Sequence, residues 1–183
     1  GGPAVTGENL APYLAASTVI GFDDPEVAKL VPLAVGDGKA TAGERALATR
    51  RFVQRHLTTK DLETAFGTAS EVARSKSGDC TEHSVLLTAL LRAQKIPARV
   101  AVGVVYVDEF LGARQVFGYH MWTQARIDDR WVDLDPTFPE AFDATHIAFA
   151  VSALADGGAG GAGFQNLLAL IGRVAIEVLE TSP

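Results

Sequence analysis

Cysteine, basic clusters and long apolar runs are scarce in this chain, and each scarcity removes a class of explanation. A single cysteine, Cys80, forbids an internal disulfide and leaves the redox compartment unspecified. No apolar run approaches the roughly 20 residues of a membrane-spanning helix. With a formal net charge of -6 and no dense Lys/Arg cluster, nucleic acid is not expected as the main partner, because a phosphate backbone calls for a basic surface. The chain opens Gly1-Gly2-Pro3 with neither a Met nor a signal peptide, so it reads as a trimmed chain or a piece of a longer polypeptide. Localisation stays open between extracytoplasmic and cytoplasmic.

What is present describes an ordinary soluble domain. A chain of 183 residues, 48% hydrophobic and 21% charged, is long enough to bury a core without disulfide or metal staples. Residues 1–22 carry Gly, Pro and Asn with little periodicity and are expected to form an extended arm on the domain, or a remnant of an upstream region. Residues 23–183 are the domain proper.

Helix signals dominate the first third. Asp23-Asp24-Pro25-Glu26 starts a short helix expected to run to about Leu33. Gly36-Asp37-Gly38 breaks the pattern, and Thr41-x-x-Glu44 opens a longer amphipathic helix to about His56. Thr68-x-x-Glu71 opens one or two further turns. Ser77-Gly78-Asp79-Cys80 then leads into a segment apolar nearly all round, Val85 to Leu91, which predicts a helix enclosed by other elements.

Strand signals dominate the remainder. Pro97 ends the buried helix, and Ala98 to Val107 is a β-branched run typical of a central strand. Asp108 to Gly118 is a polar excursion, read either as a hairpin tip or as a mobile flap over a cleft. Further strands are expected over Tyr119 to Ile127, Arg130 to about Leu134 and His146 to Val151. A helix from Phe164 to Ile171 and an alternating strand from Arg173 to Leu179 are expected beyond a Gly-rich run. Helices first and a mostly antiparallel sheet afterwards define an α+β class.

The chemistry concentrates at Cys80. Asp79 is placed to cap the helix, with Glu82 three residues on as its capping-box partner and Gly78 allowing a sharp entry. A thiol in that first turn faces unpaired N–H groups and the positive end of the helix dipole, so it is expected to ionise more easily than a free cysteine. A purely structural cysteine is the competing reading, since free Cys is among the most buried residue types.

His120 and Asp135 follow on the second and third strands, giving a nucleophile, a base and an orienting acid in chain order. Strand parity tests their meeting. If Asp128-Asp129 forms a two-residue turn, Ile127 faces Arg130 and Trp122 faces Asp135, which makes His120 a diagonal neighbour of Asp135. Asp133 lies on the same face as Asp135 and is the alternative orienting acid.

Four motifs in register carry a resemblance: Gly78-Asp79-Cys80-Thr81-Glu82-His83 before a Leu-rich helix, Ile96-Pro97-Ala98-Arg99-Val100, Tyr119-His120-Met121-Trp122, and Trp131-Val132-Asp133-Leu134-Asp135-Pro136-Thr137. Over residues 70–150 they resemble the core of the bacterial transglutaminase-like superfamily. The resemblance implies a papain-like α+β core, with the nucleophile-bearing helix packed on the sheet. It implies Cys80 as nucleophile, His120 as general base and acid, and Asp135 as the residue that orients the imidazole. Acyl transfer at the amide bonds of peptides or proteins follows through a thioester, with hydrolysis favoured over transamidation and no cofactor or metal. One oxyanion donor is expected from the Cys80 N–H. The family's upstream donor has no counterpart here: the region reads Val72-Ala73-Arg74-Ser75, and the nearest upstream aromatics, Phe52 and Phe66, cannot donate.

Other readings attach to the same residues. Trp122, with Asp79, is assigned to substrate binding, although cross-strand packing also explains an aromatic on a strand. His83, one turn after Cys80, could join His120 and Asp135 in a metallohydrolase site. Gly158-x-Gly160-x-x-Gly163 matches a dinucleotide fingerprint but sits in a Gly/Ala run outside any βαβ unit, and it reads as a flexible loop. His56 and His146 receive no chemical role. The alternative to an enzyme is a non-catalytic binding or scaffolding module of a larger protein.

Overall fold

The computed structural model describes residues 7–35, 40–59, 66–110, 112–139 and 142–156. Among the described residues, five α-helices precede a four-stranded antiparallel sheet of order β3-β2-β1-β4, so the α+β class holds. The expected C-terminal helix and strand, with the Gly-rich run, lie outside the described residues.

The first helical segment is two short helices rather than one, α1 (Pro25–Ala28) and α2 (Val31–Val35). Pro32 is the reason: without an N–H it cannot continue the ladder of the preceding turn. Helix α3 (Ala42–His56) starts at a full capping box between Thr41 and Glu44, and α4 (Ala69–Ser75) repeats the device with Thr68 and Glu71. Both caps were legible from the Thr-x-x-Glu spacing.

Helix α5 (Cys80–Ala93) is the axis of the core. Val85, Leu86, Leu87, Ala89, Leu90 and Leu91 are all fully buried, against α3 and α4 on one side and the sheet on the other. Each such leucine stabilises the fold by about 1.5–3 kcal/mol through its burial. At the helix end the buried Arg92 donates to the carbonyls of Ala98, Ala15 and Ala153. One guanidinium thus ties helix, sheet and N-terminal stretch together.

Residues 7–22 pack on the domain. Ile20 is fully buried, Glu8 accepts from Trp131 Nε1 at 2.9 Å, and the Tyr13 ring meets the Trp131 ring edge-on at 5.1 Å. Trp131 is also covered by the Arg99 guanidinium, 3.9 Å from the ring centroid.

The sheet runs β1 (Ala98–Phe110), β2 (Ala113–Ile127), β3 (Arg130–Leu134) and β4 (His146–Ser152). Of the two readings of the Asp108 to Gly118 excursion, the hairpin tip is the one observed: it is the closed end of the β1–β2 hairpin, with its strands paired almost to the turn. Across the β1–β2 ladder Glu109 pairs with Arg114 and Phe110 with Ala113, and Val116 pairs with Val107 just before the excursion. A valine pair and an opposite-charge pair there hold the strands together almost to the turn. β2 therefore begins six residues earlier than hydrophobic patterning indicates. On its other edge β1 pairs with β4, Val105 with His146 and Gly103 with Ala148, with a bulge between Val102 and Gly103.

Candidate active site

Helix α5 starts where its sequence says it should. Asp79 Oδ1 accepts from Thr81 N–H at 2.8 Å, and the Asp79 N–H donates back to Glu82 Oε2 at 3.1 Å, which completes the capping box. Gly78 is required on two counts. Its φ of +146° lies in the region that favours glycine, and an added Cβ would sit 2.2 Å from Glu82 Cβ. Glu82 is itself buried and accepts from Gly67 N–H at 2.9 Å; burial and the neighbouring Asp79 carboxyl push its pKa up. Asp79 is thus occupied in capping. The Cys80 N–H, at the open helix end, has no hydrogen-bond partner among the described residues.

Hydroxyls then fix α5 against β2. Ser84 Oγ lies 2.7 Å from the Cys80 carbonyl and 3.0 Å from the Met121 carbonyl, and Thr123 Oγ1 donates to the Ser84 carbonyl at 3.1 Å. These bonds place the Cys80 sulfur against the His120-Met121 peptide, where it accepts from the Met121 N–H. The expected ease of ionisation is not what the environment provides. Burial, followed by the carboxylates of Asp79, Asp135 and Glu82, pushes the thiol pKa up to about 12, and the Met121 N–H offsets this only in part. The helix end that was expected to favour thiolate is crowded with its own capping acids.

His120 and Asp135 meet as strand parity requires. Ile127 pairs with Arg130 across a two-residue turn, Asp128 and Asp129 both have positive φ (46° and 59°), and the ladder continues to Thr123 opposite Leu134. The next pair in that register would be Trp122 and Asp135. His120 Nε2 lies 2.6 Å from Asp135 Oδ2, with both side chains almost sealed from solvent. Burial alone would raise the Asp135 pKa; hydrogen bonds from His120 and His146, the His120 charge and the Thr137 N–H outweigh it and hold the carboxyl well below the usual range. Asp133 is engaged elsewhere: its Oδ1 accepts from Trp122 Nε1 at 2.8 Å and Gln124 Nε2 at 2.7 Å. Trp122 is 1% exposed and stacks 6.1 Å from the His120 ring, so it supports the histidine from below. His83 bonds back to the Asp79 carbonyl through Nδ1 at 2.7 Å.

Two residues at the site carry no local sequence signal. His146, given no role by its sequence context, places Nε2 3.1 Å from the same Asp135 Oδ2, with its ring 5.6 Å from that of His120. It arrives from β4, and only the β1–β4 register brings it there. Arg50, on α3, donates through Nε to the Asp135 carbonyl at 2.6 Å, and through its other nitrogens to the carbonyls of Phe138 and Pro139. It thereby clamps the segment that follows β3. A cavity of about 330 Å³ bordered by Glu26, Lys29, Phe52 and His56 lies elsewhere, and neither Cys80, His120 nor Asp135 lines it.

A cysteine at the first turn of a buried helix, set on an antiparallel sheet that carries a His–Asp pair, is the architecture of the papain-like α+β class. The sequence model of the transglutaminase-like superfamily matches residues 32–136, more than half of the chain, and the chain belongs to that superfamily. Among solved structures, a candidate cysteine protease from Cytophaga hutchinsonii superposes with a TM-score of 0.62 at 19% identity, over 79% of this chain and 47% of that one. The periplasmic domain of TgpA from Pseudomonas aeruginosa, bound to ethylmercury, gives 0.51 at 19% identity, over 68% and 47%. These likenesses are of fold, and the chain spans about half the length of the structures it matches. No curated protein sequence matches it. None of the described helices is long and apolar enough to cross a membrane.

Proposed function

We propose that the chain is a cysteine-dependent acyl-transfer enzyme acting on amide bonds of peptides or proteins. Cys80 is the nucleophile, His120 the general base and acid, and Asp135 the residue that orients the imidazole. The observation that carries this reading is the 2.6 Å contact between His120 Nε2 and Asp135 Oδ2, beside a sulfur seated on the next peptide. With Nε2–H donated to the carboxylate, Nδ1 is the ring nitrogen free to accept a proton.

The steps follow from these positions. The thiol gives its proton to His120 Nδ1 as sulfur attacks the amide carbonyl, so no free thiolate need accumulate in the resting protein. The unpartnered Cys80 N–H offers a donor for the resulting oxyanion. His120 returns the proton to the departing amine as the C–N bond breaks and a thioester remains. Water, deprotonated by the same nitrogen, attacks the thioester and releases acid and thiol. Water is the more abundant acceptor, so hydrolysis is favoured over transfer to an amine.

Profiling against a peptide library, with and without an added primary amine, tests the proposal. Turnover lost in Cys80→Ala is the expected result. One observation favours the second reading, a non-catalytic binding or scaffolding module: a thiol held near 12 is a poor nucleophile without its base. Absence of turnover across the library, or turnover that survives Cys80→Ala, would make that reading the better one.

A further inference from the structure

His146 is the residue that the acyl-transfer steps leave unused, and its surroundings are those of a ligand. One donor atom from each of His120, Asp135 and His146 lies within 4.8 Å of the other two. Both imidazoles approach the carboxylate through the same type of nitrogen, at 2.6 and 3.1 Å. Three donor atoms converging from β2, β4 and the residue just past β3 form a cage that needs little rearrangement to close on an ion.

The surrounding groups already hold these donors in place. His146 Nδ1 lies 3.2 Å from Thr145 Oγ1 and 3.5 Å from Asp143 Oδ1, the carboxylate-histidine arrangement that aims a ligating nitrogen. Asp135 Oδ1 accepts from the Thr137 N–H at 2.7 Å, which leaves Oδ2 facing the two rings. Phe138 and Phe142 stand against the cluster, with ring centroids 5.3 Å from His120 and 4.2 Å from His146. That apolar wall lowers the local dielectric and strengthens any charge the carboxylate meets.

We propose that His120, Asp135 and His146 form a binding site for a borderline divalent transition metal, Zn²⁺ in the first instance. Two imidazole nitrogens and one carboxylate oxygen suit Zn²⁺ and not the hard ions Mg²⁺ or Ca²⁺, which want all-oxygen shells. Zn–N and Zn–O bonds of about 2.0–2.2 Å are within reach of donors already this close. On binding, the metal replaces the proton that each Nε2 shares with Oδ2. A neutral imidazole then carries its proton on Nδ1: in His146 that proton points to Thr145 and Asp143, and in His120 it occupies the nitrogen that would take the thiol proton. The ion is thus an inhibitor of the thiol site rather than its cofactor, an inference that rests on the proposed function for the inhibition and on geometry alone for the binding.

The experiment is a titration of zinc chloride into the Cys80→Ala chain, followed by the ring nitrogen resonances of its four histidines. One equivalent should bind, moving the Nε2 signals of His120 and His146 and leaving His56 and His83 unmoved. Asp135→Asn in the same background should weaken binding at least tenfold. Shifts confined to His56 or His83, or no histidine shift at all, would overturn the site. Loss of turnover in the unsubstituted chain at saturating zinc, restored by EDTA, is the expected inhibition; full turnover with zinc bound would overturn that part. Because the titration uses a chain without its thiol, a failed enzyme assay leaves the binding result standing on its own.

Discussion

His120 Nε2 and Asp135 Oδ2, fifteen residues apart in sequence, lie 2.6 Å apart beneath the surface, and that contact separates Asp135, one residue past the end of β3, from Asp133 within the strand. Asp133 holds Trp122 and Gln124, whereas Asp135 holds the histidine. Asp135→Asn should lower kcat/KM by roughly 10²–10⁴, because the amide favours the wrong imidazole tautomer. Asp133→Asn, whose amide oxygen can still accept both bonds now made to Asp133 Oδ1, should keep activity within about tenfold, since only the charge on that acceptor is lost. Steady-state kinetics on the two variants would decide between them, and equal losses would contradict the assignment.

The Cys80 thiol, with its pKa pushed up to about 12, should be sluggish toward alkylation. At pH 8 an unfolded chain, with a thiol near 8.5, holds an appreciable thiolate fraction, while the folded site holds far less. Iodoacetamide labelling followed by mass should therefore run more than tenfold slower folded than in denaturant, and should accelerate as pH rises toward 11. A folded rate equal to the unfolded one at pH 8 would show that the helix end outweighs burial after all.

Much of this site was legible because it depends on local rules. The capping box at Asp79 and Glu82 follows from spacing, and the meeting of His120 with Asp135 follows from a two-residue turn and period-2 alternation. What was not legible depends on burial or on distant pairing. The raised thiol pKa needs the burial of the sulfur and, after that, the packed positions of three carboxylates, and a sequence shows only the helix end. His146 enters through the β1–β4 register and a bulge, and Arg50 through the docking of α3 against a segment more than eighty residues later; neither residue type nor spacing announces either contact. The strand content of residues 108–118 was hidden for a related reason: cross-strand pairing, rather than composition, decides it.

Arg50 should matter to stability and to the site together. Its guanidinium serves the carbonyls of Asp135, Phe138 and Pro139, so Arg50→Ala leaves acceptors without a donor in a largely buried setting. A loss of about 1–3 kcal/mol in chemical denaturation is expected. Arg50→Lys should recover only part of it, because an ammonium cannot reproduce the planar fork that spans the three oxygens. Turnover should fall further than stability explains, since Asp135 is at the start of the clamped segment.

Gly103 links the sheet register to the second histidine, and Gly103→Ala separates steric from electrostatic effects. An added Cβ would sit 1.9 Å from the Ile147 carbonyl oxygen and 2.8 Å from its carbon, and this is backbone that cannot swing aside. β4 must therefore shift, at a cost of roughly 1–3 kcal/mol, and His146, the residue before Ile147, must shift with it. Asp135 then loses one of the hydrogen bonds that hold its pKa down. A carboxyl depressed in the folded state contributes stability that is present above its unfolded pKa of about 3.9 and disappears as pH falls through the folded value. The variant forfeits part of that contribution; because the unfolded chains titrate alike, its deficit relative to the parent stays level from neutral pH downward and narrows only as pH falls through the depressed folded-state value of Asp135. An acid titration of the Asp135 carboxyl carbon resonance in parent and variant checks this: an Asp135 titration that is unmoved in the variant would mean that Gly103 matters only for strand packing, and that His146 does not help to hold the Asp135 charge.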